Sequence, residues 1–327
     1  MARIRQELQS NRRMVRYLAG VLVASAAFAA GPVYEISGRI LPRARASVVL
    51  FGASAPYSAS TFVFPGSEFR FKKLQPGAYV LTIFIRGRGE ARQTVEVGPA
   101  TADRHGRIFL TLRLNDSDFV LAAALDQHTV SAKQLAISPA ARRDYREALK
   151  DLSKHNVDSA VRRLDDAVER APQFSAAWNN LGTIAYQTGK YDRAEECFRE
   201  ALKQEPRSFE ALVNLGGVLV TEQKLDEALD YNGQAVLARP NDALAQSQLG
   251  LTYYLIGSLD LATKHLEQAI EIDPAHFSHP QLVLFRIHLR QGNPDAAADV
   301  LEDFLTRHPD WPRASNMRST IVELRSR

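Results

Sequence analysis

Two histidines have the spacing that a metal site would need. His276 and His279 are three residues apart, which on a helix would place both imidazoles on one face. Pro274 and Pro280 bracket the pair, so a helix across it is disfavoured, and the neighbouring sequence offers no third ligand. We therefore expect no metal and no other cofactor.

The other signs of catalysis are weak. Thr188-Gly189-Lys190 ends like a phosphate-binding loop, but Ile184 stands where the first glycine of that loop is required. The single cysteine, Cys197, lies beside Phe198, and we interpret it as a small core residue rather than a reactive thiol. The sequence contains neither a His-Glu-x-x-His nor a Gly-x-Ser-x-Gly motif. We therefore predict that the protein is not an enzyme.

A series of polar residues recurs at an interval of 34 residues: Arg146, Asn180, Asn214 and Gln248. An amide side chain both donates and accepts hydrogen bonds, so it can bind the backbone of an extended peptide whatever the peptide's side chains are. The alternative is structural, with the amides holding neighbouring helices together. Binding requires a repeated element that aligns the four side chains.

Three other series indicate such an element. Prolines and two sets of alanines also recur every 34 residues, at Pro172, Pro206, Pro240 and Pro274, at Ala160, Ala194, Ala228 and Ala262, and at Ala167, Ala201, Ala235 and Ala269. A fixed period in this range predicts a solenoid, in which each unit contacts its neighbours and equivalent residues form lines.

The repeated unit resembles the tetratricopeptide repeat (TPR), a 34-residue helix-turn-helix. The second repeat carries the motif as Trp178, Leu181-Gly182, Ala194, Phe198 and Pro206. The resemblance predicts an all-α, right-handed TPR solenoid of about five repeats over residues 139–309. A capping helix over residues 310–327 would cover its last apolar face.

The resemblance also assigns a face to the polar series. In tetratricopeptide proteins the first helix of each hairpin lines a concave groove that binds peptides, so the partner should be a protein or peptide. The predicted groove residues are Arg142, Arg146, Asn180, Thr183, Glu210, Asn214, Gln248 and Tyr254. The basic clamp that some members use for a peptide carboxylate is missing, because Asn179 and Val213 occupy its position.

The N-terminal part of the sequence is rich in short β-type runs. Seven strands are predicted, at residues 33–40, 46–51, 61–64, 68–71, 78–86, 92–97 and 107–114, which indicates a sandwich. This part resembles the carboxypeptidase regulatory-like domain, a transthyretin-like β-sandwich. The matching residues are Gly38-Arg39-Ile40, Ala46-Ser47-Val48-Val49-Leu50, Phe69-Arg70-Phe71, Leu74, Pro76-Gly77 and Tyr79. The resemblance implies an accessory module without activity, at residues 30–115. Residues 116–138 are a predicted linker or strand extension, with strands at Phe119–Ala124 and Thr129–Leu135.

Residues 1–29 have the three parts of a secretory signal peptide. Five arginines precede an apolar run over residues 17–30, and Ala27-Phe28-Ala29 matches a cleavage site. The run is shorter than the ~20 apolar residues of a membrane-spanning helix, so cleavage after Ala29 is favoured over a retained anchor. We therefore expect a bacterial protein that is exported to the periplasm or secreted.

The net charge of +4 is unevenly distributed along the chain. Residues 30–115 carry 12 basic and 5 acidic side chains, and residues 116–327 carry 24 and 31. The β-rich part lacks the aromatic stripe that single-stranded nucleic acid would need, so we expect no nucleic-acid partner. Its basic face is a solvated surface, or it docks on an anionic envelope component or on the acidic half of the same chain.

Together these features predict an exported, non-enzymatic scaffold that binds an extended protein segment in the concave groove. The alternative is a module that recognises a cell-envelope polysaccharide or anionic surface through the β-sandwich, with the repeats used for multimerisation. The oligomeric state is left open.

Overall fold

The computed structural model describes residues 32–119 and 135–326. The predicted signal peptide and nearly all of the two predicted strands in the linker lie outside these residues. The described residues form a β-rich part followed by a helical array, as the sequence predicts.

The β-rich part contains seven strands: β1 Tyr34–Leu41, β2 Ala46–Gly52, β3 Ser58–Val63, β4 Phe69–Leu74, β5 Gly77–Ile85, β6 Gly89–Val97 and β7 Arg107–Arg113. They form a three-stranded sheet A in the order β4-β1-β7 and a four-stranded sheet B in the order β3-β2-β5-β6. Strands β1 and β7 are parallel, and all other neighbours are antiparallel. A one-turn 3₁₀ helix, Asp116–Asp118, follows β7.

The two sheets enclose one apolar core. Successive residues of a strand point to opposite faces, so alternate side chains are buried between the sheets. Fully buried examples are Ile36, Val48, Leu50, Leu81 and Ile83. At the start of β5, Gly77 has a φ of +145°, a conformation that glycine adopts without steric strain.

Eleven helices make up the described part of the array: α1 Pro139–Leu152, α2 Val157–Arg170, α3 Ser175–Gln187, α4 Tyr191–Gln204, α5 Phe209–Thr221, α6 Leu225–Ala238, α7 Ala243–Ile256, α8 Leu259–Ile272, α9 Pro280–Gln291, α10 Pro294–Arg307 and α11 Ala314–Arg325. Among the described residues, no helix has the length and apolar character needed to cross a lipid bilayer.

Consecutive helices pair into hairpins, from α1/α2 to α9/α10, and the hairpins stack on one another. Helix α11 packs on α10 through Ile321 and Leu324, so it covers the last hairpin. Small residues permit a close crossing within a hairpin. A Cβ at Gly182 of α3 would lie 2.6 Å from Cε1 of Phe198 on α4, so only glycine fits there without displacing the ring.

The outer face of sheet B lies over the concave side of the array. Strand β3 contacts α1, and the Nε2 of Gln187 at the end of α3 donates to the carbonyl oxygen of Gly52 at 2.9 Å. Near the other end of the array, Oδ2 of Asp310 accepts from the N–H of Ala100 at 2.8 Å. The sandwich therefore bridges the array from its first hairpins to the turn before α11.

Candidate functional site

A cavity of about 1770 Å³ lies between sheet B and the concave side of the array. One wall is the outer face of sheet B, with Val49, Phe51 and Val80. The opposite wall belongs largely to α1, α3 and α5, the first helices of three successive hairpins. The predicted groove residues that line this cavity are Arg146, Asn180, Thr183, Glu210 and Asn214.

Asn180 and Asn214 each form a hydrogen bond to the preceding repeat. The Nδ2 of Asn180 donates to Oη of Tyr145 at 3.1 Å, and the Nδ2 of Asn214 donates to Oδ1 of Asn179 at 3.1 Å. A longer contact of 3.5 Å joins Asn214 to Oγ1 of Thr183. Neither Asn180 nor Asn214 uses its Oδ1 toward any described residue. Each amide therefore ties neighbouring helices together and retains an acceptor for a ligand.

Two predicted arginines on α1 differ in their surroundings. Arg146 is exposed on the cavity wall, and none of the carboxylates in the described ranges forms an ion pair with it. Arg142 does not line the cavity, and its Nε donates to the carbonyl oxygen of Ile137 at 3.2 Å. Arg146 is therefore the predicted cation available to a carboxylate inside the cavity.

Gln248 and Tyr254 on α7 do not line the cavity. The Nε2 of Gln248 lies next to Gly217 of the preceding hairpin, where a Cβ would approach it to 3.0 Å. Tyr254 packs on the apolar cluster of the next hairpin, which includes Val283 and Ile287. The polar series thus reaches the cavity from α1 to α5, and Gln248, its member on α7, lies in the packing between hairpins.

Glu210, one of the predicted groove residues, faces a cation of the same chain. Arg92 on β6 lies 3.0 Å from Glu210, 3.3 Å from Asp242 and 2.6 Å from Glu90. Arg239, just after α6, lies 3.2 Å from Glu210 and 3.4 Å from Glu90. These five residues, here named the ion network, join sheet B to the middle of the array. At Arg92, the basic face of the sandwich therefore contacts the acidic half of the same chain.

The ion network is anchored by well-packed groups. The side chains of Arg239 and Asp242 are each 6% exposed. The ring of Phe209 lies 4.2 Å from Cζ of Arg239 and 5.5 Å from Cζ of Arg92, within the range of cation–π attraction. Asp242 also caps α7, because its Oδ1 accepts from the N–H of Ala245 at 3.0 Å. The geometry of Asp242 is therefore fixed by the helix it begins.

The charges of the ion network support one another. Burial alone would lower the pKa of Arg92, but Asp242, Glu90 and Glu210 raise it above its ordinary value. Burial alone would raise the pKa of Glu210, but Arg239 and Arg92 lower it below its ordinary value. Arg92 and Glu210 therefore both stay charged at neutral pH.

The two histidines considered as metal ligands belong to a buried cluster near the end of the array. The ring of His279 contacts the rings of Phe304, His308 and Trp311, at centroid distances of 5.5, 4.6 and 4.9 Å. The Nδ1 of His308 lies 3.4 Å from Oε1 of Glu96 on β6. Within residues 32–119 and 135–326, no group of three or more His, Cys, Asp or Glu side chains is arranged to hold a metal ion.

Acidification is expected to destabilise this cluster. Burial lowers the pKa of His276, against the opposing charges of Asp273 and Asp242, and burial together with His308 holds the pKa of His279 well below its ordinary value. Both pKa values in the folded chain lie below the value of about 6.5 for an unfolded histidine. The stability that each neutral histidine contributes is therefore complete above about pH 6.5 and is lost as the pH falls below it. The expected loss is up to about 1.4 kcal/mol per pH unit for each histidine.

Urea unfolding between about pH 7.5 and about pH 5 measures this slope. The variant His279→Asn is the control, because His279 has a φ of 52° and asparagine accepts this conformation without titrating. Its free energy of unfolding should depend less steeply on pH. A slope equal to that of the parent chain would show that His279 does not titrate on unfolding.

Cys197 lies in α4 and is fully buried. Burial raises the pKa of its thiol to about 11, so the group is protonated at neutral pH. The interpretation of Cys197 as a core residue is confirmed.

Two parts of the cavity wall were not predicted from the sequence. Tyr145 and Asn179, which receive the bonds from the two asparagines, directly precede the predicted Arg146 and Asn180 in the sequence. The sheet wall was not predicted, because no sequence pattern indicated that the sandwich lies over the groove. Apolar residues on the outer face of β2 and β5 were an available signal, since a solvated sheet face is usually polar.

Family models match the helical part of the chain. The model of the Cilia and flagella-associated protein 70 middle TPR-like domain matches residues 160–271, and a tetratricopeptide repeat model matches residues 257–321. With the stacked helical hairpins, these matches show a tetratricopeptide-type repeat array.

Several solved structures are similar to this chain. MamA 41-end from Desulfovibrio magneticus RS-1 is 23% identical, with a TM-score of 0.48 over 54% of this chain and 99% of that one. TTC0263, a thermophilic TPR protein in Thermus thermophilus, is 21% identical, with a TM-score of 0.44 over 57% and 98%. YrrB, described as a TPR protein with an unusual peptide-binding site, is 24% identical, with a TM-score of 0.46 over 58% and 98%. No curated protein shows a significant match to this chain.

Proposed function

We propose that the chain is a scaffold for protein–protein interaction that binds an extended segment of a partner in the cavity between sheet B and the repeats. One observation carries the proposal. Asn180 and Asn214 belong to the wall of a cavity of about 1770 Å³, and each has an amide oxygen that no described residue uses. Such oxygens accept the backbone N–H groups of a peptide irrespective of its sequence.

The opposite wall suits an extended segment as well. In an extended chain, successive side chains point to opposite sides, so apolar residues at alternate positions share one side. On the sheet wall, Val49, Phe51 and Val80 offer apolar surface to that side. A partner segment with alternating apolar residues would therefore contact both walls, and an acidic residue near its end would meet Arg146.

The alternative, binding of an envelope polysaccharide or anionic surface through the sandwich, is not favoured. Arg92 and the outer face of sheet B lie against the array, so this basic side chain is engaged by Glu210 and Asp242. We also propose that the chain is not catalytic, since its candidate reactive side chains are packed. Cys197 is protonated in the core, and His276 and His279 are buried.

The test is a peptide that binds the full-length chain, selected from a phage-displayed library of random dodecapeptides. The double variant Asn180→Ala/Asn214→Ala should weaken binding of this peptide by about 5- to 150-fold. This range follows because each net hydrogen bond contributes about 0.5 to 1.5 kcal/mol. Affinity is measured by isothermal titration calorimetry.

A matched variant separates binding from structure. Tyr145→Phe removes the acceptor for the Nδ2 of Asn180 and so breaks the same bond between repeats, but it leaves the amide in place. The peptide should bind Tyr145→Phe with nearly the parent affinity. If Tyr145→Phe and the asparagine variants lower affinity equally, the amides act only between helices and the proposal fails.

We further propose that the chain is exported and that its N-terminal part is a carboxypeptidase regulatory-like sandwich. The support for export is the basic and apolar character of residues 1–29 and the Ala27-Phe28-Ala29 site. Mass analysis of the protein made in a bacterial host should give a mature chain that begins at Ala30. An intact N-terminus in the membrane fraction would indicate a retained anchor instead.

A further inference from the structure

Strand β6 presents its free edge to the groove. It is the last strand of sheet B and pairs only with β5, so its outward N–H groups have no partner within the sheet. The N–H of Thr94 instead donates to Oδ2 of Asp273, at the end of α8, at 2.9 Å. Exposed strand edges are usually blunted or covered, and here a carboxylate of the array covers the edge.

The side chain of Arg92, two residues before Thr94, contacts the same surface of the array. Arg92 meets Glu210 at the start of α5 and Asp242 at the start of α7. Glu210, Asp242 and Asp273 lie along the concave side, where Arg239 is 3.2 Å from Glu210, so carboxylates outnumber the array's own cations in this pocket, here named the acidic pocket. The pocket takes one guanidinium group and one backbone N–H from an extended strand.

We propose that this acidic pocket is a binding site for an arginine-bearing extended strand, and that β6 is its tethered occupant in this structure. A segment with an arginine and, two residues later, an unpaired N–H presents the same groups as Arg92 and Thr94. The overall charges agree with this assignment, because residues 30–115 have an excess of basic side chains and residues 116–327 an excess of acidic ones.

Occupancy by β6 limits access to the groove. Glu90, Arg92, Glu210 and Asp242 all line the cavity, so the contact closes one part of its perimeter. Because β6 belongs to the same chain, it competes with any free strand for the acidic pocket. An external segment of this type therefore binds in proportion to the fraction of chains in which β6 has withdrawn.

The pocket and the cavity amides are separate sets of residues. Asn180 and Asn214 take no part in holding Arg92 or Thr94. Failure of either proposal therefore leaves the other standing, and the two experiments use different variants.

The test uses a fluorescein-labelled nonapeptide with the sequence of residues 89–97 and the full-length chain. The variant Arg92→Ala should bind this peptide at least about 10-fold more tightly than the parent chain, because its own strand no longer fills the pocket. A peptide with alanine in place of the arginine should lose at least about 10-fold in affinity for the same variant. The control Arg113→Ala, at an exposed cavity residue without an ion-pair partner in the described ranges, should bind like the parent.

Small-angle scattering of the same chains provides a second readout. Arg92→Ala should have a larger radius of gyration than the parent chain if β6 withdraws. A variant that expands but does not bind the peptide would show that Arg92 only ties the sandwich to the array, and it would overturn the proposal. Equal peptide affinity for the parent and Arg92→Ala, or binding that does not depend on the peptide's arginine, would overturn it too.

Discussion

Replacing Arg239 with methionine is expected to lower the free energy of unfolding of the array by about 3 kcal/mol. Removal of one partner from a buried ion pair costs about 3 to 5 kcal/mol, because the remaining charge is left without compensation. The lower end applies here since Glu210 is 45% exposed and Glu90 is 20% exposed, so water screens part of the charge. The variant would leave three carboxylates of the ion network facing Arg92 alone.

Urea unfolding followed by circular dichroism of the helices measures this change. Arg207→Met is the control, because Arg207 is exposed on the cavity wall and none of the described carboxylates pairs with it. Its free energy of unfolding should stay within about 0.5 kcal/mol of the parent value. A loss below about 1 kcal/mol for Arg239→Met would mean that solvent screens the ion network and that it does not hold the array and sandwich together.

Replacing Phe198 with alanine is expected to cost about 3 to 5 kcal/mol. Its ring is 1% exposed and fills the space between α3 and α4, so truncation leaves a cavity in the second hairpin. A Cβ on Gly182 would come within 3.0 Å of three atoms of this ring. Gly182→Ala alone should therefore cost about 1 to 3 kcal/mol through overpacking.

The two changes are expected not to add. Without the Phe198 ring, Gly182→Ala no longer causes a clash and gains the helix propensity of alanine, so it should stabilise the Phe198→Ala chain by about 1 kcal/mol. Gly233→Ala is the control, because Gly233 lies within α6 and a Cβ there meets nothing within 4 Å. It should stabilise the parent chain by about 0.5 to 1 kcal/mol. Thermal unfolding of the parent chain, the two single variants Phe198→Ala and Gly182→Ala, and the double variant checks this cycle. Additive changes in the free energy of unfolding would contradict the packing of Phe198 on Gly182.

The repeat array could be predicted from the sequence because its signals are local and periodic. The interval of 34 residues places Gly182 and Ala194 at helix crossings, and Pro280 begins α9 as expected for a residue without a free N–H. The strands of the sandwich were predictable for the same reason, since alternation along a strand reports one buried face.

The arrangement of the two parts could not be predicted in this way. The contacts that join them are between residues far apart in sequence, such as Arg92 with Asp242 and Thr94 with Asp273. Charge excess indicated that the halves could attract, but no local pattern specified that β6 meets α5 and α7. The predicted groove residues were only partly those of the cavity, because Gln248 and Tyr254 lie in the packing between hairpins.

We propose that one partner segment lies between two walls, the sheet and the repeats. Site-specific photocrosslinking of the library-selected peptide to the full-length chain tests it most directly. Benzoylphenylalanine would replace Ser60 on the sheet wall, Lys150 on the helical wall or, as the control, Phe109, which is 53% exposed on sheet A. Crosslinks are expected from Ser60 and from Lys150, and none from Phe109. Crosslinks from only one wall, or equally from Phe109, would contradict it.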